Sequence, residues 1–168
     1  VSVALDRLTP TYSKLKWLND IYFSGKKCGG ILTESSVLAG QEADLYAVVG
    51  IGINVNNCLE DFPTELTNQV TSLFLETGIT FTILDVFEAI RSELIATLEL
   101  FSREGFAQIR SGWKQKDFLY GKKMECVTES RTIVEGIAMG PDDEGQLHVR
   151  DDEGRLHSVL SGDVRLAR

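Results

Sequence analysis

Two stretches with strand-like patterning carry glycine where a strand interior least favours it. "KKCGGILTES" holds Gly29 and Gly30 inside a run over residues 27–35, and "LYAVVGIGINV" holds Gly50 and Gly52 inside an almost unbroken apolar run over 45–55. A glycine inside a strand costs entropy and packs no side chain, so it marks a bulge, a close backbone approach or a surface left bare for a ligand. The second run is apolar enough to predict a central strand covered on both faces. Its glycines match a dinucleotide fingerprint only superficially. G-x-G-x-x-G must run into a helix, whereas the third position here is Val55, still within a strand. A Rossmann fold is excluded. Two such strands side by side would make a smooth floor for a flat ligand. From the residues alone, that use of glycine and a purely structural one stand level.

The rest of the chain reads as an α+β protein. Val1, Ala4, Leu5 and Leu8 share one helical face, and Pro10 ends that helix. Short strands are predicted over 15–17 and 21–23, with Ser24-Gly25 turning the chain into the run at 27, and Gly40 marks a further turn. Residues 56–71 are polar, contain Pro63 and predict a long surface loop. Thr82 and Asp85 have the spacing of a capping box, opening a helix to about Ser102 whose stripe is Ile83, Phe87, Ile90, Leu94, Leu98 and Phe101. A shorter helix follows over 106–113. From Phe118 the pattern changes to short alternating strands. "DDEG" occurs at 142–145 and again at 151–154, each suited to a hairpin turn with glycine in the left-handed position. About fifty residues of such pattern predict a small barrel of SH3-like size. The boundary is expected near 112–115, dividing the chain into 1–113 and 114–168.

The formal net charge of −8 gives no basic surface for nucleic acid. Lys14, Lys16, Lys26 and Lys27 form the one small basic cluster of note, better matched to a small phosphate-bearing ligand. No run of about 18 apolar residues exists, so no membrane span is expected. The three cysteines, Cys28, Cys58 and Cys126, are odd in number and lack C-x-x-C spacing. They predict free thiols in a reducing, cytoplasmic setting. The chain opens on Val1, and the helix there predicts a longer polypeptide. No G-x-S-x-G elbow is present, and His148 and His157 both fall in the β-only tail, so a hydrolase triad is not indicated. A four-residue loop at 151–154 would set the two histidines directly opposite, an exposed cross-strand pair rather than a metal site.

Four side chains carry candidate chemistry. Lys27 borders the glycines and could act as a point cation for phosphate or carboxylate oxygens; taken alone, a solvated hairpin lysine is the stronger reading. Asn19 and Asp20 could hold a sugar hydroxyl or Mg²⁺, or simply form a turn. Asn54 has the same ambiguity.

Taken in order, "KWLNDIYFSGKKCGGILTES", "VVGIGINVNN" and "TSLFLETG" resemble the biotin–protein ligases. That family carries a K-W-P-N-D segment, a G-x-K-[hydrophobic]-x-G-I-L-x-E strand and a G-x-G-[IL]-N-V segment. The resemblance covers essentially the whole chain, and residues 118–168 resemble the family's SH3-like C-terminal domain. The fold it implies is a class II synthetase-like catalytic core, with its N-terminal part missing, followed by that barrel. The activity it implies has two steps: biotin and ATP give biotinyl-5′-AMP, and a lysine of a biotin carboxyl carrier domain then takes the biotinyl group. On that resemblance Lys27 contacts the biotin carboxylate and the α-phosphate. Lys16, Trp17, Asn19, Asp20 and Asn54 belong to the ATP or adenylate site, with Mg²⁺ arriving alongside ATP. Gly30, Leu32, Gly50 and Gly52 lie against biotin. Leu18 departs from the family's proline. The family's glycine- and arginine-rich loop precedes the segment that begins at Val1, so the chain is expected to need its upstream half for activity. The resemblance also allows a homodimer. Lipoate or octanoate ligases and a non-catalytic biotin-binding relative are the alternatives.

Overall fold

The computed structural model describes residues 1–37, 45–127 and 133–167, with the backbone alone described at Val37, Leu45 and Asp163. The turn expected at Gly40 lies outside the described residues. Helix α1 (Ser2–Leu8) leads into a four-stranded sheet of β1 (Lys14–Lys16), β2 (Asp20–Phe23), β3 (Lys26–Val37) and β4 (Leu45–Ile53), ordered β1-β2-β3-β4. All its strands pair antiparallel. Ser24 and Gly25 both take positive φ, 48° and 81°, the conformation a two-residue hairpin loop requires.

Two 3₁₀ turns, Leu59–Asp61 and Thr64–Leu66, give structure to the expected loop. A short helix α2 (Leu73–Thr77) follows, capped by the Ser72 hydroxyl at one end and left-handed Gly78 at the other. The first core joins Leu5, Ile21, Phe23, Cys28 and Leu73 to Val86 and Ile90. Each large apolar side chain buried there contributes about 1.5–3 kcal/mol.

Helix α3 (Ile83–Glu104) and helix α4 (Phe106–Lys116) meet at Gly105. One expectation is corrected here. The capping box at Thr82 does not form: the Thr82 side chain caps nothing, and its carbonyl instead accepts the Asp85 and Val86 N–H groups. The apolar stripe is not uniformly buried. Val86 and Ile90 face the core, whereas Ile83, Phe87, Leu98 and Phe101 are each about half exposed. Beside them, Ile51, Ile53, Val55, Phe87 and Leu94 line an apolar groove of about 380 Å³. Strand β4 is corrected as well. It ends its sheet, paired only to β3 among the described residues, and Val48 and Val49 are exposed rather than covered.

The second sheet is built from β5 (Lys123–Val127), β6 (Ile133–Pro141), β7 (Leu147–Arg150), β8 (Leu156–Val159) and β9 (Asp163–Leu166), ordered β8-β7-β6-β5-β9. Its core gathers Leu119, Met124, Cys126, Ala138, Leu147 and Val149. The two "DDEG" turns are built alike. Asp142 accepts the N–H groups of Glu144 and Gln146, Asp151 those of Glu153 and Arg155, and the glycines take φ of 81° and 82°. Each loop spans five residues, because Asp151 N–H bonds to the Arg155 carbonyl. Pairing therefore sets His148 against Ser158 and His157 against Val149, which puts the histidines on opposite faces. Each instead meets its own turn aspartate, His148–Asp142 at 3.0 Å and His157–Asp151 at 2.8 Å. Among the described residues no helix is long and apolar enough to cross a membrane.

Candidate active site

An irregularity in β3 sets the aim of Lys27. Strand side chains alternate faces, so residues 27, 29 and 31 would all point the same way, toward the first core. Pairing with β2 slips at this point: Ile21 faces Gly29, but Tyr22 faces Lys27, and Cys28 is the extra residue. A bulge of this kind re-aims a side chain. Cys28 goes to the core, where burial pushes its thiol up to about 12, and Lys27 turns to the face shared by Gly30 and Asp20. The Lys27 backbone is clamped from the side, its N–H donating to the Gln69 carbonyl and its carbonyl accepting the Thr71 N–H. The end of the 56–71 loop thus holds the Lys27 backbone in place, a role its composition did not reveal.

On that face Asp20 pairs with Gly30, Gly30 with Gly52, and Leu32 with Gly50. Asn19, Asp20, Lys27, Gly30, Leu32, Gly50 and Gly52 together line an open cleft of about 490 Å³. Lys27 Nζ stands 2.5 Å from Asp20 Oδ1. The Lys27 side chain is nearly half exposed, so the pair itself adds little stability. Asn19 closes the β2 end: its side-chain amide donates to the Ile31 carbonyl, and its own carbonyl accepts the Ile31 N–H.

What the glycines would meet if given a side chain separates two uses. A Cβ at Gly29 would strike the Gly52 carbonyl oxygen at 2.4 Å, so packing demands glycine there. At Gly50 and Gly52 the nearest neighbours stand at 3.7 and 4.0 Å, and at Gly30 the nearest is the Asp20 carboxylate at 3.4 Å. None of these three has positive φ. Neither backbone conformation nor close packing requires glycine at Gly50 or Gly52, and at Gly30 the pressure comes only from the polar groups of the cleft.

Three expected residues stand apart from the cleft lining. Asn54 donates its side-chain amide to the Thr71 carbonyl and so braces the segment that clamps the Lys27 backbone. The Lys16 ammonium lies 5.7 Å from the centre of the Tyr22 ring. Trp17 is 4% exposed and sits in the second core, its indole N–H donating to the Gly145 carbonyl at 3.1 Å. The Trp17–Leu18 peptide is cis. Among the described residues no group of three or more His, Cys, Asp or Glu side chains could hold a metal ion.

Comparison with known proteins bears on this arrangement. Residues 126–166 match the family model of the biotin protein ligase C-terminal domain. The chain is 35% identical over 152 residues to the bifunctional ligase/repressor BirA of Bacillus subtilis (strain 168), covering 90% of this chain and 46% of that protein. It is 30% identical over 153 residues to BirA of Escherichia coli (strain K12), covering 91% of this chain and 46% of that one. The chain therefore spans about half the length of these curated relatives. Among solved structures, the biotin protein ligase from Aquifex aeolicus in complex with biotin and ATP superposes with a TM-score of 0.83 at 27% identity, covering 99% of this chain and 67% of that one. The ordered motifs, the family model and relatives aligned over nine-tenths of the chain agree, and the chain belongs to the biotin protein ligase family.

Proposed function

We propose that the cleft is the adenylation site of an ATP-dependent biotin–protein ligase. The observation that carries this reading is the bare floor at Gly30, Gly50 and Gly52, with the Lys27 ammonium at its edge. In the first step a biotin carboxylate oxygen attacks the α-phosphorus of ATP, the bond to pyrophosphate breaks, and biotinyl-5′-AMP forms. Two anions must meet, and each pair of unit charges at 4 Å costs about 4 kcal/mol at an effective dielectric of 20. Lys27 is the cleft's cation, and its charge offsets that repulsion as the new bond forms. Asp20 holds the ammonium over Gly30 until the substrates arrive. In the second step the ε-amine of a lysine on a biotin carboxyl carrier domain attacks the acyl carbon; AMP leaves and the amine gives up a proton.

Asn19 and Asp20 would serve the nucleotide end and Leu32 the biotin end, with Asn54 acting through Thr71 on the Lys27 backbone. Asp20 is the carboxylate lining the cleft, which fits Mg²⁺ carried in on ATP phosphates better than a resident ion. The exposed stripe of α3 and its apolar groove support a further part of the reading: the chain works together with more of the ligase than these 168 residues.

The test measures biotinyl-5′-AMP formed from ATP and biotin, first by the chain alone and then by the chain joined to the upstream portion of the Bacillus subtilis relative. Weak turnover alone and robust turnover when joined is the expected result. No adenylate from the joined protein would refute the reading. Parallel runs with lipoate and octanoate separate it from lipoyl ligases, since only biotin should raise the melting temperature.

A further inference from the structure

The first sheet donates one large side chain to the other sheet's core. Trp17 leaves β1 and packs among Leu119, Met124, Leu147 and Val149, while its indole N–H reaches the Gly145 carbonyl in the turn between β6 and β7. That turn is rigidly made. Asp142 bonds to two of its N–H groups and to His148, and Asp143 pairs with Arg110 of α4 at 2.9 Å. Two residues beyond Trp17 the chain enters the cleft: Asn19 bonds Ile31 through both its side chain and its backbone, and Asp20 faces Lys27. The rest of the seam is also specific. Phe118 N–H donates to the Leu15 carbonyl at 2.8 Å, and the Tyr22 and Phe118 rings stack with centroids 4.9 Å apart.

We propose that Trp17 is a positioning residue through which the turn at 142–146 of the second sheet fixes the Asn19–Asp20 end of the cleft. The second sheet contributes to the cleft in this way without lining it. Asn19 and Asp20 stand at the end of a short segment whose other end is buried 4% exposed in a separate core, so a shift of the turn moves that anchor and the cleft groups follow. As a statement about ATP the inference rests on the adenylation reading; as a statement about coupling it does not.

The experiment uses the 168-residue chain and two variants. Trp17→Phe keeps an aromatic ring in the core but loses the N–H bond, and Asp142→Ala loosens the turn without touching Trp17. Thr97→Ala on the exposed part of α3 is the control. Amide resonances are compared without ligand, and ATP binding is titrated well below the melting temperature. Asn19, Asp20 and Ile31 resonances should move in both variants and stay put in the control. ATP affinity should fall about two- to tenfold in Trp17→Phe, as one lost hydrogen bond implies. A merely structural Trp17 would lower the melting temperature and leave both readouts unchanged, which overturns the proposal. The proposal also fails if Gly145 and Gln146 resonances move in Asp142→Ala while Asn19 and Asp20 do not. Should the chain bind no ATP even when joined to the upstream portion, the adenylation reading fails, and the resonances alone decide the coupling.

Discussion

The two sheets use glycine for opposite ends. In the second, glycine is demanded by the structure. A side chain at Gly136 would strike the Arg150 carbonyl oxygen at 2.2 Å, one at Gly162 would strike the Val127 carbonyl oxygen at 2.6 Å, and Gly145 and Gly154 close turns that need positive φ. In the first, packing demands Gly29 and the hairpin turn demands Gly25, while Gly50 and Gly52 face open space and Gly30 faces Asp20 and Lys27. The polar groups differ in the same sense. Asp142 and Asp151 are saturated by their own turns and histidines, whereas Asp20 and Lys27 pair with each other on the lining of an open cleft. One sheet is finished; the other leaves a cleft open.

The sharpest way to break this contrast is Lys27→Ala in the ligase completed by an upstream portion. Adenylate formation should fall about a hundredfold or more, the scale of losing one charge-stabilising donor in a closed site. A loss of less than threefold would make Lys27 an ordinary surface cation. Next comes the pair Gly29→Ala and Gly50→Ala, compared by denaturant unfolding. Gly29→Ala forces a backbone clash and should cost about 1–3 kcal/mol; Gly50→Ala should be near neutral. Equal costs would erase the distinction between packed and bare glycines. Smaller again is Gly154→Ala, where nothing crowds the new methyl and only the left-handed backbone objects, at about 1–2 kcal/mol.

The smallest effect expected is a pH dependence confined to the second sheet. The His157 contact first, then the Arg155 N–H, hold the Asp151 carboxyl below its ordinary 3.8. At Asp142 burial opposes ionisation, but the Gln146 and Glu144 N–H groups and His148 outweigh it, again leaving the carboxyl below 3.8. A carboxyl depressed by folding adds stability that is present above its unfolded value and lost as pH falls through the folded one. Amide exchange in the two turns should therefore quicken below about pH 3.8, and Asp151→Asn should abolish its share. A turn whose protection is flat from neutral pH down through pH 3 would contradict the assigned contacts.

Much of this was readable from residues alone. Hairpin turns at Ser24-Gly25 and at both "DDEG" repeats and the long helix α3 declare themselves through local chemistry, whereas the ordered motifs speak only through their resemblance to a family. The caps of α2, Ser72 and Gly78, were equally visible in "TSLFLETG" and could have placed that helix. What escaped is what depends on partners. The bulge at Cys28 that turns Lys27 to the cleft is a matter of pairing with β2, invisible in β3 itself. An apolar run such as 45–55 looks the same whether one neighbour strand pairs with it or two. The histidine register shifted because the loop holds five residues, a count fixed by one backbone bond to Arg155. Trp17 beside Asn19-Asp20 reads as part of a ligand segment, and only the tertiary structure shows its ring committed to a different core.

The central claim is that glycine at the floor of the cleft is kept for a ligand and not for the fold. Gly52→Val tests it most directly, because β-branched valine suits a strand and the nearest atom to the new Cβ is 4.0 Å away. In the completed ligase, the account predicts an unchanged or slightly raised melting temperature together with at least a tenfold loss of biotin affinity. Undiminished biotin binding by a well-folded Gly52→Val protein would contradict it.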